Sequence, residues 1–577
     1  MRAGGGQSWQ HLLARGVALH KEGKLAEAEK LYDKILKHNP ASGDALNLKG
    51  VIATTRGLHA AALKLLDRAV ALMPSYPDAH FNRAAALAAL GRDGEAIKTY
   101  EKAIALRPDY GDAYLNMGRV HHKIGQREQA VAAFRAAARI SPNDPRSHYN
   151  LGVCLQESLP GADTAAREIL NAEARAAFER ALTLDPGNAQ VLYGFATLHS
   201  ENGDHARAAE LVEAALRLRP DWSDAWNNLG NHYEGLGRRD AAVAAFDRAL
   251  QLDPNNTGAV VNRGLTQLAL GRLADGWKGY AHRFDDPRFP FTPRSWPWPT
   301  WQGEDLRGKR ILLWSDQGIG DEVLYASMAL EVAGRAAECV LECTDRLAPL
   351  YRRSFPGIEI IPKRLENHAG LVSRPFDVHC SVLDLGRWLR PTMGAFPNRS
   401  RLLAPDPAAR AAIGDRYRRA APGAKLVGLA WHSTNPRMGH QKSLPLAWFS
   451  DLVTVPGFVF VNIQYGNFTK EIADFCDLTG VRLVDDPSID SLKDLDNFAA
   501  QLAALDLVVS VSNSAAHLAG ALGVPTVVLA PDRHKRLWYW FENGFFSPWY
   551  RSVGILRDSG AEGQARLRAL LEGMREF

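Results

Sequence analysis

At 577 residues the chain is too long for one compact core. A net charge of +5 without a dense Lys/Arg block argues against a nucleic-acid footprint, although a mildly basic balance suits anionic small molecules. Five cysteines, Cys154, Cys339, Cys343, Cys380 and Cys476, form no Cys-x-x-Cys pair and cannot all be paired, which predicts a reducing, cytoplasmic setting.

Residues 1–8 read as a loose, glycine-rich tail with no apolar run of signal-peptide length. Then a ladder begins. Pro40, Pro74, Pro108, Pro142, Pro186, Pro220 and Pro254 recur every 34 residues, apart from one gap of 44. That period is the length of a tetratricopeptide helix-turn-helix unit, with proline where a second helix must stop. In the same phase lie the small residues Gly16, Gly50, Ala84, Gly118, Gly152, Ala196, Gly230 and Gly264, which let paired helices approach. Large side chains such as Tyr32, Leu66, Phe134 and Phe246 fill the space between them. The pattern resembles tetratricopeptide repeats and predicts an α-solenoid over 9–284, seven full repeats and a partial one. Ten extra residues between Pro142 and Pro186 should bend the solenoid or lengthen one hairpin.

Asparagine recurs at Asn82, Asn116, Asn150, Asn228 and Asn262. Either these carboxamides form a ladder that holds an extended peptide by its backbone, or they pack the turns of the repeats. A Trp/Pro-rich junction follows over 285–308, where Trp296, Trp298 and Trp301 should plug the solenoid against the next domain.

From Lys309 short apolar runs alternate with helical stretches: Ile311–Trp314, Cys339–Glu342, Ile358–Ile361, then Leu426–Trp431, Phe458–Ile463, Val481–Val484, Leu507–Val511 and Thr526–Leu529. This alternation predicts parallel sheets with ligands beyond the strand ends. A proline-rich stretch over 391–421 separates two groups, giving Rossmann-like domains at 309–405 (acceptor side) and 406–577 (donor side, with a terminal helix). The expected fold class is thus an α-solenoid followed by an α/β GT-B arrangement of two Rossmann-like domains. The apolar window 507–529 contains Asn513, His517, Gly523 and Pro525 and reads as strand, turn, helix and strand, with no membrane span.

Three strand-to-helix loops carry the chemistry. The first, residues 315–322, places Gly318 and Gly320 before Asp321 and Glu322, and Val323 stands where a dinucleotide fingerprint needs its third glycine. NAD binding is not expected. The second holds His432, Ser433, Arg437 and Lys442, hydroxyl and cationic groups suited to phosphate. The third, Ser512, Asn513, Ser514 and His517, offers helix N–H groups to an anion. Gln464, closing the strand Phe458–Ile463, and Lys535 complete the predicted donor-binding set. The Asp494-Leu-Asp496 sequence falls in a predicted helix, and no metal is expected.

Gln317-Gly-Ile-Gly-Asp321, the segments around Trp431-His-Ser and Lys442-Ser-Leu-Pro-Leu, the run from Ser512 to Pro531 and the ending Ser547-Pro-Trp-Tyr-Arg together resemble heptosyltransferase-type glycosyltransferases of the family-9 kind, in the branch fused to tetratricopeptide repeats. The resemblance implies that Asp321 is the base or acceptor-orienting carboxylate, with Glu322 in reserve, and that Lys442 contacts donor phosphates. That family carries an Asp-Thr pair five residues before the histidine, whereas this chain has Ser512-Asn513, which points to a donor other than ADP-heptose. The chain is also similar to repeat-linked flagellin glycosyltransferases that attach nonulosonic acids and, in plan, to protein O-GlcNAc transferase. These resemblances imply a cytoplasmic, metal-independent, inverting protein O-glycosyltransferase. Its co-substrate is a CMP- or UDP-linked sugar and its acceptor a polypeptide such as flagellin, with no further cofactor. The alternatives are an inactive adaptor or sugar-nucleotide sensor, and a transferase acting on glycan or lipid-linked acceptors.

Overall fold

The computed structural model describes residues 5–161, 163–287, 289, 294–420, 422–434, 439–530, 537–541 and 544–574. They divide into two compact units, Met1–Asp221 and Trp222–Phe577. The division falls inside the repeat array, whose helices continue to Tyr280.

In the first unit, helix pairs such as Gly43–Thr55 with His59–Leu72 and Gly111–Lys123 with Arg127–Ile140 repeat in register. Each second helix ends two residues before a ladder proline. Gly23, Gly57, Gly91 and Gly125 turn each first helix into its partner at φ of +77°, +77°, +74° and +77°, a region other residues avoid. Close approach accounts for the small residues: a Cβ on Gly50 would stand 2.6 Å from Leu66, and one on Gly118 would stand 2.7 Å from Phe134. The ten-residue insertion forms a short 3-10 turn, Leu159–Gly161, and extends the following helix to Thr164–Leu184. Among the described residues no helix is long and apolar enough to cross a membrane.

The second unit opens with four repeat helices, Ser223–Gly235, Arg239–Leu252, Thr257–Ala269 and Leu273–Tyr280, and continues into two all-parallel sheets. The first contains β1 (Arg310–Trp314), β2 (Glu338–Cys343), β3 (Glu359–Pro362) and β4 (Val378–Ser381) in the order β3-β2-β1-β4. The second contains β5 (Lys425–Ala430), β6 (Phe458–Asn462), β7 (Leu507–Val511), β8 (Thr526–Leu529) and β9 (Val553–Leu556) in the order β6-β5-β7-β8-β9. β4 and β9 escaped sequence reading because His379 and Ser381 break one apolar run and Gly554 breaks the other. The predicted strand at Val481–Val484 reduces to one bridge, Val484 beside Val461.

Side chains of β1 alternate between two cores. Ile311 and Leu313 face the helices, whereas Leu312 and Trp314 join Trp296, Val340, Leu371 and Phe376. Trp296 and Trp298 therefore cover a face of the first sheet, whereas Trp301, as the sequence suggested for the junction, joins the core that includes Trp277 and Tyr280 of the last repeat. Their backbone explains it: Trp301 N donates to His379 O (2.8 Å) and His379 N to Pro299 O (3.0 Å), so the segment runs along β4 as an added edge.

The last repeat joins the sheets through Trp277. Its Nε1 donates to Arg390 O at 2.9 Å, and its ring lies edge-on to Trp538 with centroids 5.1 Å apart. A Cβ at Gly386 would stand 2.2 Å from that ring. Gly386→Ala should therefore destabilise this unit by about 1–3 kcal/mol through overpacking. Urea denaturation followed by tryptophan fluorescence would show the lowered midpoint.

Candidate functional site

Beyond the carboxyl ends of the two sheets lies a cavity of about 480 Å³. Helix Ile319–Ala326, which follows β1, and helix Ser514–Ala521, which follows β7, meet at its floor. The helices pass closely at glycine: a Cβ on Gly320 would sit 3.0 Å from His517 Cδ2, a tight contact. Gly318, Gly320, Asp321, Ser433, Lys442, Ser512, Asn513, Ser514 and His517 all line the cavity, so segments remote in sequence converge as expected.

Asp321 stands in the first turn of its helix and opens onto the cleft. Burial raises its pKa to about 6, with Asp316 adding to the rise and Lys442 and the Gly318 and Asp321 amides opposing it. It remains mostly ionised at neutral pH but is a stronger base than an exposed carboxylate. Lys442 is itself pushed down by burial, against the field of Asp321. His517 is driven down to about 3, first by burial and then by Lys442, so it acts as a neutral imidazole rather than a cation. Trp540 stacks on it at 4.9 Å, and its Nδ1 lies 3.3 Å from the Tyr550 hydroxyl.

Other predicted site residues serve the architecture. Glu322 is buried away from the cleft, accepting from Ser315 Oγ (3.1 Å), Thr344 N (2.8 Å) and Thr344 Oγ1 (2.7 Å). Glu322 points about 100° around the helix from Asp321 and does not line the cavity. It ties the end of β1 to the end of β2 and is not a reserve base. Gln464 Oε1 accepts from Trp431 N (3.1 Å) and His432 N (2.8 Å), so it braces the loop and does not line the cavity. His432 packs its ring against Phe468 at 5.1 Å and does not line the cavity. Asn513 caps its helix, accepting from Ala516 N at 3.3 Å, while its amide donates to His432 O at 3.3 Å. Ser512 Oγ accepts from Trp540 Nε1 at 2.8 Å. Arg437 and Lys535 lie outside the described residues. Asp494 caps helix Leu495–Ala503, and Asp496 pairs with Arg353.

The cavity wall also includes Gln317, Arg346, Tyr465, Leu492, Phe498 and Tyr539, which the sequence reading missed. Arg346 just beyond β2 was open to the strand-end argument used for the other loops. Leu492 and Phe498 carry no local signal, since apolar residues near a helix start read as core.

The asparagines are partly committed. Asn82 Nδ2 donates to Asn47 Oδ1 (2.9 Å), and Asn262 Nδ2 donates to Asn227 Oδ1 (3.0 Å), each bridging first helices of neighbouring repeats. Asn150 Nδ2 donates to Arg146 O in its own helix at 2.7 Å. Asn116 and Asn228 are half-buried.

Protein FlbA of Caulobacter vibrioides (strain ATCC 19089 / CIP 103742 / CB 15) is 35% identical over 434 residues, spanning 70% of this chain and 70% of that protein. The chain belongs to the FlbA family. Tetratricopeptide-repeat models match residues 13–77, 161–225, 193–257 and 227–276, and further repeat models match 86–125 and 111–144. Such repeats imply a peptide or protein partner. Among solved structures, YrrB, described as a TPR protein with an unusual peptide-binding site, is 22% identical, covering 34% of this chain and 95% of its own, with a TM-score of 0.29. MamA from Desulfovibrio magneticus RS-1 is 23% identical, covering 31% of this chain and 95% of its own, with a TM-score of 0.28.

In this FlbA-family chain the raised Asp321 pKa has a measurable cost. Its folded value, about 6, exceeds the ordinary 3.8, so ionisation above that window opposes folding. Asp321→Asn should stabilise the protein at pH 7 by about 1–3 kcal/mol and lose that advantage below about pH 3, where the wild-type carboxyl is protonated in folded and unfolded chains alike. Urea midpoints at the two pH values provide the check.

Proposed function

We propose that the chain is a protein O-glycosyltransferase of GT-B type, moving a sugar from a nucleotide-sugar donor to a hydroxyl of a polypeptide captured by the repeats. The observation that carries this reading is the convergence of Asp321, Lys442 and the starts of two helices on one cavity beyond two parallel sheets. Ligands of open parallel sheets bind at such strand ends. Asp321 takes the proton of the acceptor hydroxyl as that oxygen bonds to the anomeric carbon, and the bond from that carbon to the phosphate breaks. The nucleotide leaves with the electron pair. Lys442 and the helix N–H groups stabilise the charge that develops on its phosphate. Neutral His517 adds a hydrogen bond without adding charge.

An anionic donor such as a CMP- or UDP-linked nonulosonic acid, with flagellin as acceptor, fits the occurrence of Ser512 where the resembling family has a carboxylate and the presence of Arg346 on the cavity wall. Intact-mass spectrometry of candidate acceptors co-expressed with the protein should reveal a discrete added mass. Asp321→Asn should reduce transfer by roughly 10²–10⁴-fold. Lys442→Ala should weaken nucleotide binding in calorimetry. Undiminished transfer by Asp321→Asn removes that residue's role, and an unmodified acceptor proteome with intact partner capture favours the adaptor reading.

A further inference from the structure

The turn that carries Asp321 has two anchors of different origin. One belongs to the sheet: Ser315 Oγ donates to Glu322 at 3.1 Å, and Lys363 Nζ donates to Ser315 O at 3.1 Å. The other belongs to the last repeat. Arg283, wholly buried, donates from Nη2 to Asp316 Oδ2 (2.7 Å) and from Nη1 to Asp384 Oδ1 (2.5 Å), with Ser381 Oγ completing the cluster at 2.9 Å from Asp316. One residue further along the turn, Gln317 Nε2 donates to the Tyr280 hydroxyl at 2.6 Å, and Gln317 itself lines the cavity.

We propose that Tyr280 and Arg283, the closing residues of the repeat array, are positioning residues that hold the turn 315–321 against the cavity, making the last repeat a working part of the site. A buried carboxylate stays in place only when a cation or several donors satisfy it. The cation facing Asp316 comes from the repeat, and Ser381 adds one hydroxyl. Without Arg283, Asp316 must take up a proton or turn towards water, and either change moves Gln317 and the peptide leading to Asp321. The significance of this anchoring for catalysis rests on the transfer reading above, but the anchoring itself does not.

Hydrogen exchange of the full-length protein, read by mass spectrometry over residues 315–326, tests the proposal. Arg283→Met should raise exchange there roughly tenfold while β7 keeps its protection. Tyr280→Phe, which removes one hydroxyl, should give a smaller rise confined to the turn. Arg283→Lys should fall between wild type and Arg283→Met, because one ammonium cannot bridge both carboxylates in the guanidinium's geometry. Where transfer can be assayed, Arg283→Met should lower kcat more than it raises KM. Unchanged exchange over 315–326 in the folded variants overturns the proposal, as does a uniform rise across the whole unit. If Arg283→Met does not fold, Tyr280→Phe decides. Failure of the transfer reading would appear separately, as undiminished transfer by Asp321→Asn.

Discussion

The site depends on one close contact, the approach of helix Ile319–Ala326 to helix Ser514–Ala521 at Gly320 and His517. This contact brings the carboxyl ends of two separate sheets to one cavity. His517 is fixed from behind by Trp540 and Tyr550, and Trp540 is fixed in turn by Ser512. A neutral histidine can sit at such a helix crossing, whereas a charged one there would bear an uncompensated desolvation cost. The burial that neutralises His517 also raises Asp321, so the packing and electrostatics of the cavity have a common origin.

The second constraint is the joint between the final repeats and the first sheet. Trp277 supplies apolar area and a hydrogen bond, and Arg283 supplies a buried charge between two carboxylates. Burial alone would lower the pKa of Arg283, but Asp384 and Asp316 hold it well above its ordinary value, so the guanidinium keeps its proton. A buried ion pair contributes modestly to stability and strongly to uniqueness of geometry where its partners are otherwise unsatisfied. These contacts tie the last repeat to the first sheet within one compact unit, Trp222–Phe577.

Much of this architecture was legible beforehand because it is written in local periodicity. The proline ladder marked each helix-pair end, and the apolar runs marked seven of the strands. The loops at strand ends identified nine of the cavity-lining residues. The misses share a cause. Glu322, Gln464 and His432 have the same chemistry and nearly the same position as true lining residues, and differ only in where a helix or loop directs them. Trp296 and Trp298 were recognised as packing residues, but their partner proved to be a sheet face.

The sequence by itself determined the repeat array, the alternation of strand and helix, and the small set of loops within which a polar site had to lie. These follow from backbone hydrogen bonding and side-chain period, which act over a few residues. Tertiary structure alone decided which of two neighbouring carboxylates meets the cavity, that His517 is neutral, and that the last repeat belongs with the sheets. Those outcomes depend on desolvation and on charges from distant segments, Arg283, Asp316, Lys442 and Tyr550 among them, whose proximity exists only after folding.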